Sequence, residues 1–185
     1  VLLFSAEVSA LEKAAPCQAC HGSNGVSQTV LTPSIAGQPS FYLVAQLFLF
    51  REGRRDNAAM NAAAKDLRDA DLQALADFFA SLPPPRASGK ADAAKAKRGR
   101  AVVARENCAN CHGAGFEGDN NVPRLAGQRE DYLLKALRDY KAGRRVGYGN
   151  AVMPETVANL RDAELAAAAH FLAYGYRSVR ETSSK

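Results

Sequence analysis

The chain has 185 residues, 47% of them hydrophobic and 23% charged, with a formal net charge of +5. That length allows one large or two small domains, and the composition is that of an ordinary globular protein. No apolar stretch reaches the ~20 residues that a membrane-spanning helix needs.

In chain order, Val1-Leu-Leu-Phe-Ser-Ala6 resembles the tail of a signal-peptide apolar region followed by small residues, without a basic segment before it. A first helix is predicted from about Ser9 to Cys20, carrying Cys17-Gln-Ala-Cys-His21 near its end. A second starts at Pro39, a good first-turn residue, and ends at Gly53. A last helix takes Asp69 as N-cap and presents Leu72, Leu75, Phe78 and Phe79. Leu82-Pro-Pro-Pro-Arg-Ala-Ser-Gly-Lys90 cannot continue a helix and reads as a stiff, exposed linker. The same three helices then recur: Ala93 to Cys111, Arg129 to Gly143, and a last one capped by Asp162. In the second of these, Tyr132, Leu133, Ala136, Leu137 and Tyr140 form one apolar face. No alternating strand pattern competes, so the expected fold is all-α.

The recurrence is a duplication. Cys17-Gln-Ala-Cys-His-Gly22 aligns with Cys108-Ala-Asn-Cys-His-Gly113 at an offset of 91 residues. Pro33-Ser-Ile-Ala-Gly-Gln38 aligns with Pro123-Arg-Leu-Ala-Gly-Gln128 at an offset of 90. Tyr42-Leu43 matches Tyr132-Leu133, Gly53-Arg-Arg55 matches Gly143-Arg-Arg145, and Met60 matches Met153. Leu67-Arg-Asp-Ala-Asp-Leu72 matches Leu160-Arg-Asp-Ala-Glu-Leu165. The domains are placed at residues 1–82 and 98–185, with a linker at 83–97. Each is small for a hydrophobic core alone.

The four cysteines form two Cys-x-x-Cys pairs. Two redox disulfides, one four-thiolate zinc site and two haem attachment sites are the competing readings. A thioredoxin-like site needs a βαβ context, which is absent. A zinc ribbon spaces its pairs by ~15–20 residues, far less than the separation here. His21 and His112, each directly after the second cysteine, decide for haem. Cys17, Cys20, Cys108 and Cys111 would carry two covalent haems c, and His21 and His112 would be the proximal iron ligands. A buried porphyrin also supplies the apolar mass that each small domain lacks.

The only two methionines, Met60 and Met153, occupy equivalent loop positions before the last helix of each half. They are the expected sixth ligands, and a thioether there favours ferrous iron and raises the potential. Filled coordination argues against chemistry at the iron. Pro33 and Pro123 lie twelve and eleven residues after their histidines; they read as turn-forming prolines and, by resemblance to mono-haem cytochromes c, their carbonyls would accept a hydrogen bond from the axial histidine's other nitrogen and orient the ring. Tyr42 and Tyr132 read as haem-pocket walls. Arg54, Arg55, Arg144 and Arg145 either pair with haem propionates or form solvated basic turns. His170, opposite Asp77 in the repeat, lies outside the haem framework and reads as a surface or interface histidine.

With these motifs in place, the chain resembles the c4-type dihaem cytochromes c from about residue 9 to 175. The resemblance implies two tandem cytochrome c-fold domains related by a pseudo-two-fold axis, with propionate edges facing each other. It implies a periplasmic, often membrane-associated protein. It implies electron transfer from a quinol-oxidising complex or dehydrogenase to a terminal oxidase or similar acceptor. An enzyme, or the cytochrome subunit of a dehydrogenase complex, is the alternative. The pattern departs at the first helix, where the second half has Gly99 and the first has Val8.

The halves differ in surface. Residues 1–82 carry net −2 and residues 98–185 net +4. Four ionised propionates would leave the reduced holo-protein near about +1, so the basicity does not indicate nucleic acid. The middle helix of the first half has Phe41, Ala45, Phe48 and Leu49 where the second has Asp131, Lys135, Arg138 and Asp139. This additional stripe predicts a contact surface for a redox partner, a membrane or a second copy. The competing reading is that Val1–Phe4 folds back over it.

Overall fold

The computed structural model describes residues 3–87, 89–146 and 152–175, with side chains from residue 12 onward. The described residues are helical throughout, apart from turns and one isolated bridge between Asp119 and Val122. The first half holds α1 (Leu3–His21), α2 (Ser40–Arg51), α3 (Ala58–Ala64) and α4 (Asp69–Ser81). The second holds α5 (Ala93–Arg105), α6 (Ala109–His112), α7 (Glu130–Lys141), α8 (Val152–Val157) and α9 (Asp162–His170), closed by a π-helical turn over Phe171–Gly175. In each half the first and second long helices pack against the last. The first core centres on Tyr42, Leu43, Leu75, Ala76 and Phe79, the second on Val102, Val103, Leu133, Leu165 and Phe171.

Each last helix begins one residue earlier than the sequence suggests. Arg68 and Arg161 are the N-caps, and Asp69 and Asp162 are the first helical residues. The carboxylate at the third helical position decides this. Asp71 accepts from the Arg68 amide at 3.1 Å, and Glu164 from the Arg161 amide at 3.0 Å. The same carboxylates reach the first helix of their half, Asp71 through Lys13 and Glu164 through Arg105 at 3.0 Å. Met60 and Met153 lie on the short helices α3 and α8 rather than on open loops. Asn57 caps α3 by accepting directly from the Met60 amide at 3.0 Å.

The first helices differ. α1 runs unbroken through Pro16 to His21. At the matching place in the second half, Asn107 has φ 53°, and the helix stops at Arg105 and resumes at Ala109. Both residues disfavour a continuous helix just before the first cysteine, but only the left-handed asparagine interrupts it.

The linker is not free in solvent. Pro84 packs against Gly37, the Pro85 carbonyl against Gly127, and Pro85 is buried. α5 begins at Ala93, with the Asp92 carboxylate accepting from the Lys95 amide at 2.7 Å. His170 corrects the expectation of a surface position: it is only 6% exposed. Its Nε2 accepts from the Asp92 amide at 3.0 Å and its Nδ1 lies 3.1 Å from Glu130. It is buried because it ties α9 to the start of α5 and to α7, the position that Asp77 and Ser40 occupy in the first half.

Candidate functional site

Each half builds one site from the same parts. His21, at the end of α1, is buried, and its Nδ1 lies 2.8 Å from the Pro33 carbonyl. His112, at the end of α6, is buried, with Nδ1 2.9 Å from the Pro123 carbonyl. A carbonyl only accepts, so each Nδ1 carries the proton and each Nε2 keeps its lone pair. Burial pushes both imidazoles below their ordinary pKa, partly offset by the proline carbonyl, so the neutral, ligating form prevails.

The proline loops are held by one device used twice. Ile35 and Ala36 donate to the Gly25 carbonyl at 2.8 and 3.0 Å, and Leu125 and Ala126 to that of Phe116 at 2.8 and 3.1 Å. Gly25 has φ 73°, which costs glycine little. Its counterpart Phe116 holds φ 53° although it is not glycine. The Phe116 ring is buried edge-on to Phe171, centroids 6.2 Å apart, and that packing offsets the backbone cost.

No disulfide joins the four cysteines; Cys17 and Cys108 are half-buried and Cys20 and Cys111 exposed. Burial raises the Cys17 and Cys108 thiols above their usual pKa. Met60 and Met153 are half-buried. The apolar face of α7 is only partly covered: Leu133 is buried, while Tyr132, Ala136, Leu137 and Tyr140 are half-exposed. Two thiols, an imidazole with its lone pair free and a thioether in each half, with the incompletely covered apolar wall of α7 in the second, fit a covalently attached haem at each site. Among the described residues no cluster of His, Cys, Asp and Glu could hold a bare metal ion instead.

The two sites meet across a seam with pseudo-two-fold symmetry. Gln38 donates to the Arg124 carbonyl and accepts from its amide, both at 2.9 Å. Gln128 does the same to Ser34, at 2.7 and 2.8 Å. Tyr42 and Tyr132 turn their hydroxyls into the seam. Arg145 donates to Tyr42 and Arg55 to Tyr132, each at 3.1 Å and each from the opposite half. Both guanidiniums also share the Gln46 side-chain oxygen. Arg54 and Arg144 are exposed, Arg144 in an ion pair with Asp139, so the second arginine of each Gly-Arg-Arg turn is the inward one. Spacing alone does not separate the two; the reversal of the chain after Gly53 and Gly143 does. The seam glutamines stand inside the repeated Ala-Gly-Gln, which was the available signal for them. A cleft of about 460 Å³ opens beside the seam, lined by Pro85, Arg86, Gln128, Arg129 and Tyr174 among others, and includes none of the Cys, His or Met residues.

Residues 96–175 match the cytochrome c family, and residues 10–79 match the family described as cytochrome c oxidase, cbb3-type, subunit III. The cytochrome c4 of Thiocapsa roseopersicina is 34% identical over 84% of this chain and 85% of its own length. This chain belongs to the cytochrome c4 family of dihaem c-type cytochromes. It carries two covalently bound haems c and functions in electron transport. The reduced cytochrome c4 of Pseudomonas stutzeri superposes with a TM-score of 0.82 at 29% identity, covering 89% of this chain and 96% of that one. A protein named thiosulfate dehydrogenase electron acceptor, from Thiomonas intermedia, is 35% identical over 87% of this chain and 79% of its own.

The stripe expected on α2 of this c4-type cytochrome does not form one surface. Ala45 and Leu49 are each 4% exposed. The Gly-Arg-Arg turn is fastened to the end of α2, with the Arg54 and Arg55 amides donating to the Leu49 carbonyl at 2.8 and 3.0 Å. Phe48 is half-buried beneath the Arg51 guanidinium, and Phe41 is 48% exposed. Leu49 is therefore unavailable to a membrane or an oligomer. The side chains of Val1–Phe4 lie outside the described residues. No described helix is long and apolar enough to cross a membrane.

Proposed function

We propose that this cytochrome is an exported, periplasmic shuttle. It takes electrons from a quinol-oxidising complex or a dehydrogenase and delivers them to a terminal oxidase or a similar acceptor. Cys17 and Cys20 attach the first haem and Cys108 and Cys111 the second. His21 with Met60, and His112 with Met153, would hold the two haem irons. Residues 1–82 and 98–185 are the two haem domains. The observation that carries the reading is the duplicated His–Pro pair, at 2.8 and 2.9 Å, in two halves joined by reciprocal glutamine bonds. When bound, each haem supplies a one-electron ferric/ferrous couple. The proline carbonyls fix the tautomer and orientation of each imidazole and strengthen it as a donor. The methionine thioethers would favour the ferrous state of the iron they hold. The name of the Thiomonas relative supports a dehydrogenase as the donor.

A redox titration of the holo-protein, with carbon monoxide challenge, tests this. Two one-electron couples, no carbon monoxide binding to the native reduced protein, and a lowered couple in each of Met60→His and Met153→His are expected. Carbon monoxide binding at either haem, or loss of both methionine–iron bands, would instead indicate an enzyme or sensor. Stopped-flow mixing with a reduced thiosulfate dehydrogenase then tests the donor class; no reduction of either haem rejects that donor.

A further inference from the structure

The two helices that carry the methionines are short, and they are anchored differently. α3 has seven residues, too few to hold a helix in water by themselves, so tertiary contacts place it. It packs against α2, yet five of its seven residues are alanines, and Ala58, Ala59, Ala62 and Ala63 are exposed. Apolar burial therefore fixes it weakly. Asn61, next to Met60 and half-buried like it, supplies the rest. Its Nδ2 donates to the Phe50 carbonyl at 2.6 Å and to the Arg55 carbonyl at 2.9 Å. Its Oδ1 accepts from the Asn57 amide at 2.8 Å, and the Asn57 side chain in turn accepts from the Met60 amide at 3.0 Å. Phe50 lies in the last turn of α2, where carbonyls lack partners within their own helix. One carboxamide thus ties the start of α3 to the end of α2 and to the turn that follows it. In the second half the residue after the methionine is Pro154, whose side chain neither donates nor accepts. In α8 the Thr156 hydroxyl bonds to the Val152 carbonyl of the same helix, at 2.8 Å.

We propose that Asn61 is the positioning residue for the first methionine: its carboxamide clamp, which Pro154 cannot provide in the second half, holds Met60 in place for the first haem and keeps that coordination position closed. The inference rests on the dihaem carrier reading, in which Met60 is an axial ligand. Asn61 acts through another residue, since its three bonds all go to backbone atoms that fix the helix bearing Met60. Without the clamp, two carbonyls and one amide each lose a partner, and α3 samples positions in which the thioether stands off. A thioether that binds less of the time lowers the potential and leaves room for a small ligand. Because the clamp belongs to one half, its loss marks the first haem and spares the second.

The test uses the holo-protein in a Met153→His background, where the one remaining methionine–iron band belongs to Met60. Asn61→Leu keeps the side-chain size and removes all three bonds; Asn61→Asp keeps only the acceptor. In both, the methionine-free fraction of the first haem should rise about tenfold, the loss expected when partly buried partners are left unpaired. It is read as a weakened band, and as carbon monoxide uptake by the reduced first haem at a concentration that leaves the parent unreacted. In the otherwise wild-type chain the same substitutions should lower one of the two couples and leave the other in place. Unchanged band, carbon monoxide response and couples in Asn61→Leu would overturn the proposal, even if the variant is less stable, because Asn61 is then structural only. Two couples shifted alike would overturn it as well. If Asn61→Leu does not fold, Asn61→Asp decides on the same readouts. A Met153→His parent that has no methionine–iron band rejects Met60 as a ligand instead, before Asn61 is altered.

Discussion

The wall beside each haem site is built from the same backbone with opposite chemistry. In the first half Ala45 and Leu49 of α2 are buried, and the turn after the helix bonds back to the Leu49 carbonyl. In the second half the matching α7 positions are Lys135 and Asp139. There Asp139 pairs with Lys135 and Arg144, while Arg138 pairs with Asp162. The turn closes in the same way, with the Arg145 amide donating to the Asp139 carbonyl at 3.1 Å. Backbone geometry is thus common to both copies. One copy extends its core where the other covers its flank with ion pairs. The lesson is that a stripe of apolar residues absent from a repeat partner need not be a docking surface; it can be additional core.

Gly99 offers the largest way to break the likeness between the halves. A Cβ there would fall 2.0 Å from the Ala167 carbonyl oxygen, a backbone atom that cannot swing aside. α5 rests on α9 through this glycine. Gly99→Ala should destabilise the second half by about 3 kcal/mol, at the upper end for overpacking. Guanidinium denaturation of the holo-protein should show the second half melting well before the first; coincident transitions at the wild-type midpoint would contradict the close approach. The wall itself is tested by a matched pair. Leu49→Ala should cost about 2–3 kcal/mol, as for a buried leucine. Asp139→Asn should cost less than about 1 kcal/mol, because its partners are largely solvated. Equal losses in the two variants would remove the distinction between core and ion-pair walls.

The smallest effect concerns acid. Glu164 is held down to about 2 by the Arg161 side chain, the Arg161 amide and Arg105, against an ordinary value of 4.5. A carboxylate whose folded pKa is depressed contributes stability above its unfolded value, and that contribution is lost as pH falls through the folded one. Glu164→Gln should therefore flatten the stability profile of the second half between pH 4.5 and 2. An unaltered slope in that window would remove the link between this cap and acid stability.

Much of the site was legible in the sequence because covalent chemistry fixes local spacing. Cys-x-x-Cys-His in duplicate places two thiols and an imidazole on one helical turn. The paired Met60 and Met153 stand out because the chain contains no other methionine. Caps and long-range partners were less visible. Asp69 and Asp162 look like caps, yet Asp71 and Glu164, two residues on, set the helix start. His170 looks like a surface residue until Asp92 and Glu130, distant in sequence, close around it.

The sequence by itself determined most of the long helices and the cofactor chemistry, since these depend on residues within a few positions of one another, and it showed the duplication directly as a repeated pattern. Tertiary structure alone decided which arginine of each pair turns inward, which tyrosine it meets and how the halves join. Those contacts link residues that are 77 to 103 positions apart, and only the packing of one half against the other brings them together.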